Sequence, residues 1–398
     1  MLSIEKTLLS LFISTLLSIA TLAQEVPQVP GTIVSYSPAS SQKYIGSPSI
    51  CILPNGNYVA SHDHFGKGST EHEKARSFVF LSTDKGASWN PLAEIDGQFW
   101  SKLFYHQGAL YLLGTDKHHG DMIIRRSEDE GRTWTEPKNK KNGLILKGEY
   151  HCAPTPIILH NGRLWRAMEN AKAPTTKWGE RYSTFMMSIP EDADLLHAKN
   201  WTSSEQLSYH ANYLEGDFGG WLEGNAVVGP DGKILNILRV DNRAENAEDK
   251  AAIVLISEDG KKASFNPDNG FMDMPGGSKK FTISYDSLSQ KYWMIANYIP
   301  QKYKVEEKPA RIRNTQALCS SDDLKTWNVH KILLQHPDVE KHGFQYVDWL
   351  FEGDDLIYLS RTAFDDDKGG ANNFHDANFL TFHRIKNFRQ FAQQSISE

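Results

Sequence analysis

One design recurs along this chain: a strand-like run, a polar or glycine turn, and a second strand-like run. It appears at 50–60, 103–113, 157–166, 226–236, 281–295 and 349–359. Asn55-Gly56, Asn161-Gly162 and Asp231-Gly232 supply the positive φ that tight hairpins need. The turns return at intervals of roughly 50–70 residues, the size of a repeating sheet unit, and nothing between them reads as a crossover helix. A second motif lies between the hairpins. Ser82-Thr-Asp84-Lys-Gly86-Ala-Ser-Trp89 and Ser127-Glu-Asp129-Glu-Gly131-Arg-Thr-Trp134 share the pattern S-x-D-x-G-x-x-W. Ser320-Ser-Asp322-Asp-Leu324-Lys-Thr-Trp327 follows it with Leu324 in place of Gly, and Ser257-Glu-Asp259-Gly260 begins a copy that lacks the Trp. In such a turn the Asp accepts backbone N–H groups, the Gly takes a left-handed conformation, and the Trp packs between neighbouring units.

Composition narrows the class. Charged residues make up 23% of the 398 and hydrophobic residues 39%, which excludes a disordered tail and a membrane bundle. A formal net charge of −6 gives no basic field for nucleic acid. The length would allow two or three domains, but no Pro/Gly/Ser-rich linker interrupts the repeat, so residues 24–398 are expected to form a single domain. Residues 1–23 read as a secretory signal peptide: a short charged head, an apolar run from Leu8 to Leu22, and small residues before a cut after Ala23. That run is shorter than the roughly 20 residues a membrane span needs. No Cys follows the cut to take a lipid, so a periplasmic or secreted, monomeric protein is expected. Cys51, Cys152 and Cys319 are odd in number, far apart and set in apolar runs, which reads as buried free thiols. Neither a CxxC nor an HExxH spacing occurs, and neither a metal nor a cofactor is expected.

These motifs resemble the Asp-box (BNR-repeat) sialidase-like β-propellers, and the resemblance covers nearly all of residues 24–398. It implies an all-β fold of four-stranded antiparallel blades around a ring, with blades near 47–95, 99–147, 151–208, 221–266 and 279–334. A last blade takes strands from 343–385 and is closed by Thr32-Ile-Val-Ser-Tyr36, which leaves no open edge. This count gives six blades; seven is the alternative, because a longer stretch separates Gly162 from Gly232.

In such a ring the start of each inner strand and the end of the second strand share one rim, and the S-x-D turns fall at the other. The first rim then carries His62-Asp63-His64, Tyr150-His151, Arg166, Glu223, Arg239, Tyr298, Tyr346, Asp348, Arg361 and His375. Aromatic rings beside cations and carboxylates suit a sugar bearing an acid group. The unit Glu223…Arg239 looks like the sialidase Glu–Arg pair, and Phe344-Gln-Tyr346 looks like the strand that presents the sialidase tyrosine nucleophile. The resemblance thus implies an exo-acting glycosidase. Tyr346 would attack the anomeric carbon, Glu223 would take its proton, and Asp63 or a nearby His would protonate the leaving oxygen. Arg239 and Arg361 would hold the acidic sugar, with Arg166, His64, Asp348, Tyr298 and His375 as further contacts. The family's Arg-Ile-Pro motif is replaced here by Tyr44-Ile-Gly-Ser-Pro48, without the Arg.

A looser resemblance, in residue types and placement, is to rhamnose–glucuronate hydrolases and lyases and ulvan lyases. It implies β-elimination beside a uronate, with His62 or His151 as base, Arg239 or Arg361 neutralising the carboxyl group, and Tyr298 or Tyr346 as acid. A third reading is a glycan-binding propeller without chemistry. His106, His118, His119 and His160 read as surface residues.

Overall fold

The computed structural model describes residues 28–245, 247–303 and 308–396. The stretch read as a signal peptide lies outside them. Among the described residues the chain is strand throughout, with helix limited to 3-10 turns of three to six residues, and no helix is long and apolar enough to cross a membrane.

Each of the six expected hairpins forms. The antiparallel registers pair Ile50 with Ala60, Leu103 with Leu112 and Ile158 with Trp165. The later three pair Ala226 with Asn236, Thr282 with Ile295 and Trp349 with Tyr358. Among the described residues, strands join into five hydrogen-bonded sheets, four of four or five strands and one of eight. The eight-stranded sheet arises because the strand Leu144–His151 pairs with Gly120–Ser127 on one side and, at Tyr150 and His151, with Arg163–Asn170 on the other. The N-terminal strand Thr32–Tyr36 does close the last sheet, lying antiparallel to Phe379–Ile385.

Polar ties close the ring. Asp348 accepts hydrogen bonds from Ser49 Oγ (2.9 Å) and the Ile50 amide (2.9 Å), and is salt-bridged to Lys102 Nζ at 2.6 Å. Asn225 Oδ1 accepts the Ile283 amide at 3.1 Å, Thr282 O accepts the Trp349 indole N–H at 2.9 Å, and Glu169 Oε1 accepts the Gly224 amide at 3.1 Å. Between neighbouring sheets the spaces are filled by buried apolar clusters, including those around Trp165 and Trp221 and around Trp293 and Trp349. Cys51, Cys152 and Cys319 are free and buried in this packing, as expected.

The S-x-D turns act as anticipated. Ser82 Oγ accepts the Gly86 amide at 2.8 Å, Asp84 accepts the Ser88 amide at 2.9 Å, and Ser127 and Asp129 repeat the same bonds. The third copy is shifted by one residue. Ser321 and Asp323, rather than Ser320 and Asp322, accept the Leu324 and Thr326 amides at 2.8 and 2.7 Å. Leu324 takes the left-handed φ of +65° that Gly86 and Gly131 take elsewhere. Its buried side chain packs into an apolar cluster, which offsets the backbone strain.

Candidate active site

Alternation along a strand decides which side chains reach the mouth of the ring. Three residues there break that alternation: Trp100, Glu223 and Tyr346. Each sits in an innermost strand at a register shift, between Phe99 and Lys102, Leu222 and Asn225, and Gln345 and Asp348 respectively. Each also has a left-handed φ, +46°, +56° and +56°. A bulge of this kind turns one side chain out of the sheet face, and non-Gly residues held at positive φ gather at functional sites.

Around Glu223 and Tyr346 stand three buried guanidinium groups. Arg239 Nη1 is 2.9 Å from Glu223 Oε2, and its Nε donates to Ser278 O at 2.7 Å. The Arg361 guanidinium lies 4.7 Å from the Tyr346 ring centre and that of Arg313 lies 5.8 Å from it. Arg361 is anchored through Nε to His375 O at 3.1 Å, and Arg313 through Nε to Ala310 O at 3.0 Å and through Nη1 to Gln345. A guanidinium has five N–H donors, so these anchors leave donors on all three for a ligand. Trp178, on a loop, covers Arg239 with its ring at 5.1 Å.

The electrostatics separate the two carboxyl groups. Burial opposes ionisation of Glu223, but Arg239, His151 and the Tyr346 hydroxyl overcome it and hold its pKa below the usual range. Asp63 goes the other way. Burial pushes its pKa up to about 7, although it accepts the Trp100 amide at 2.7 Å and the Ser47 amide at 3.1 Å and feels Arg361. One carboxylate is therefore charged and the other takes up a proton near neutrality, which is the pattern of a base and an acid. Burial also pulls Arg313 down, to about 10, and Arg361 in the same direction. A Cβ on Gly46 would fall 1.6 Å from Asp63 Oδ1. Asp63 thus occupies the room that a side chain at position 46 would need, and this position cannot supply an arginine.

The other anticipated residues divide by strand face. His62 points away from the mouth: both ring nitrogens are bonded, to Asp63 O at 2.9 Å and Ser35 Oγ at 3.0 Å, and the ring stacks on Phe78 and Phe80. His64 lies on the same face, 4.5 Å from Phe78. Arg166 is 1% exposed and directs its donors to Ala153 O and Thr155. Asp348 is wholly buried in the ties between sheets. Tyr298 packs against the Met274–Ala296 cluster. His151 stays at the mouth, its Nδ1 2.9 Å from Glu169 and its ring 4.2 Å from Trp100. His375 is placed there as well, with Asp376 on its Nδ1 at 2.9 Å. His119 is not a surface residue: it is 4% exposed, between Glu71 at 2.6 Å and the Tyr182 hydroxyl at 3.0 Å.

Arg313 and Trp178 were not among the anticipated residues. Arg313 precedes a third strand, Thr315–Ser321, and so has no hairpin end to mark it; Trp178 lies in a loop with no motif.

No protein-family model matches this chain, and no curated protein matches it. Solved structures do. The Hadza microbial sialidase superposes with a TM-score of 0.59 at 14% identity, over 90% of this chain and 69% of that one. A mutant α-L-arabinofuranosidase of Fusarium graminearum, bound to an iminosugar inhibitor, gives 0.58 at 10% identity over 91% and 98%. The α-L-arabinanase of Penicillium chrysogenum, complexed with arabinobiose, gives 0.54 at 12% identity over 91% and 99%. The likeness at these identities is one of fold alone: an all-β propeller with its sheets in a ring.

Proposed function

We propose that this protein is an exo-acting glycosidase that removes an acidic sugar from a glycan, on a single-domain, six-bladed propeller in which the eight-stranded sheet counts as two blades. One observation carries the reading. Two bulges turn Tyr346 and Glu223 out of their sheets toward three buried guanidinium groups, with the protonatable Asp63 held by the Trp100 and Ser47 amides and within the field of Arg361. The glycosidase neighbours agree with the reaction class.

The chemistry follows from the charges. Arg239, Arg313 and Arg361 give the mouth a positive field that fits a carboxylate, which planar guanidinium groups grip by paired hydrogen bonds. Tyr346 attacks the anomeric carbon as a neutral phenol, so no anion has to approach an anionic sugar. Glu223, kept ionised, takes the phenol proton as the C–O bond forms. Asp63 gives its proton to the leaving oxygen as the glycosidic bond breaks. Water then displaces Tyr346 from the sugar, with Asp63 accepting the water proton and Glu223 returning its own to the phenol, so the sum is hydrolysis. Proton transfer by one positioned group supplies roughly 10²–10⁴-fold, and charge stabilisation by the arginines supplies much of the remainder.

A panel of sialosides, rhamnosyl-glucuronides and ulvan oligomers, with products weighed by mass spectrometry, tests the reading. Hydrolysis adds one water to the products taken together. Products that sum to the substrate mass and absorb near 235 nm mean elimination and overturn it. Glycan binding with turnover in neither the wild type nor Glu223→Gln and Tyr346→Phe means a binding propeller.

A further inference from the structure

We propose that Glu169 is a positioning residue of the site: one of its oxygens fixes the bulge that presents Glu223, and the other fixes His151 so that Nε2 of that ring meets a hydroxyl group of the substrate sugar. The substrate rests on the glycosidase reading; the two fixed geometries do not. Glu169 is wholly buried. Its Oε1 accepts the Gly224 amide at 3.1 Å, and its Oε2 lies 2.9 Å from His151 Nδ1. Gly224 falls inside the register shift between Leu222 and Asn225, next to Glu223 with its φ of +56°. A Cβ on Gly224 would come 3.0 Å from the Ala167 Cβ, so the bulge packs directly on the strand Arg163–Asn170 that carries Glu169.

A main-chain N–H only donates and a carboxylate only accepts, so both partners of Glu169 must offer it a proton. His151 therefore carries a proton on Nδ1, and the bond made at that nitrogen leaves Nε2 for a ligand. Trp100 at 4.2 Å and Tyr182 at 4.8 Å hold the ring from its sides. Nε2 has no hydrogen-bond partner among the described residues and is not closed off from solvent. His119 shows the contrast. It too has a carboxylate on Nδ1, that of Glu71 at 2.6 Å, but the Tyr182 hydroxyl occupies its Nε2 at 3.0 Å. Of these two neighbouring pairs, only that of His151 keeps a ring nitrogen open to the mouth.

The group that meets this nitrogen is neutral. Glu169 touches the ring, and against burial Arg239 and then His151 hold the Glu223 pKa below its usual range, which sets the ring near a second carboxylate. Two carboxylates beside the ring disfavour a third. The acid group of the sugar thus goes to the arginines, and a hydroxyl group goes to His151.

Glu169→Gln separates the two duties. An amide offers one accepting oxygen to two donors. The Gly224 N–H cannot change its role, whereas an imidazole can move its proton. The oxygen then stays with Gly224, the NH₂ turns to Nδ1, and the His151 proton moves to Nε2, the outcome expected when an orienting carboxylate becomes an amide.

The test follows the ring nitrogens by NMR near pH 8, where an ordinary imidazole is neutral, on the full chain carrying isotope-labelled histidine. The His151 signals are those lost in His151→Gln. Wild type should show a proton on Nδ1, and Glu169→Gln a bare Nδ1. On whichever glycan of the panel is cleaved, kcat/KM should fall by at least about tenfold in Glu169→Gln and in His151→Gln. A bare Nδ1 in the wild type, a proton kept on Nδ1 in Glu169→Gln, or wild-type turnover in either variant overturns the proposal. If Glu169→Gln does not fold, the wild-type tautomer and the turnover of His151→Gln decide. If nothing in the panel is cleaved, the glycosidase reading fails and the hydroxyl contact with it, while the positioning by Glu169 still stands or falls on the nitrogen signals.

Discussion

Replacing Asp63 by Asn separates a proton donor from a structural carboxyl group, and its effect can be worked out for stability and for rate. Asp63 has its pKa raised by burial to about 7, from an ordinary 3.8. Between about pH 4 and pH 7 the native protein therefore keeps a proton that the unfolded chain has lost. Stability falls with rising pH through that window, by about 1.4 kcal/mol per pH unit and about 4 kcal/mol in all. The Asp63→Asn variant has no such slope. It does carry a pH-independent cost of about 1–3 kcal/mol, because an amide oxygen can serve only one of the Ser47 and Trp100 N–H groups well and turns its own NH₂ toward the other. Urea unfolding should thus show the variant clearly weaker than wild type near pH 4 and level with it, or stronger, near pH 8. The activity arm has its own sign. A donor with pKa about 7 makes wild-type kcat/KM fall above neutrality, and that limb should vanish in the variant. On unactivated glycosides kcat/KM should drop by about 10²–10⁴-fold, while kcat/KM for aryl glycosides with good leaving groups, whose departure needs no proton, should be nearly spared and only their kcat should fall, because Asp63 also takes the proton of the attacking water. A variant that keeps the alkaline limb, or whose kcat/KM falls equally on both substrate types, would refute Asp63 as the acid.

The remaining predictions concern the groups around it. Tyr346→Phe should lower kcat by at least about 10³-fold with stability within about 1 kcal/mol of wild type, since the ring stays over Arg361; measurable turnover near the wild-type rate would remove Tyr346 from the chemistry. Glu223→Gln strips Arg239 of its buried counter-charge, so both activity and stability should fall, the latter by about 3–5 kcal/mol; a loss of activity without a change in the unfolding midpoint would show that Arg239 does not depend on Glu223 for its charge balance. Lys102→Met leaves Asp348 buried without its cation and should cost about 3–5 kcal/mol with KM unchanged. A raised KM in a stable Lys102→Met protein would return Asp348 to the substrate site.

How far the sequence reached depended on the range of the interaction involved. Hairpins depend on neighbours within about ten residues, so their turns and apolar alternation were legible, down to pairings such as Ile50 with Ala60. The closing strand Thr32–Tyr36 was legible too, because an unfilled sheet edge has few candidate partners. That Glu223, Arg239, Tyr346 and Arg361 gather was legible because each sits where a hairpin end meets the rim. His62 was misplaced because a one-residue step along a strand reverses the face: Asp63 enters the mouth while His62 stacks on phenylalanines behind it. The copy of the S-x-D turn at Ser321 was read one residue early because two adjacent serines and two adjacent aspartates satisfy the pattern equally well.

Local pattern by itself determined that this chain folds as a succession of antiparallel hairpins, and which ends of them gather. Tertiary structure alone decided the rest. Backbone bulges at Trp100, Glu223 and Tyr346, the approach of Arg313 from a third strand, and the shift of Asp63 toward a protonated state all arise from closing the ring. Register slips, desolvation and the distance between charges are set by residues far apart in the chain, and no short stretch of sequence contains them.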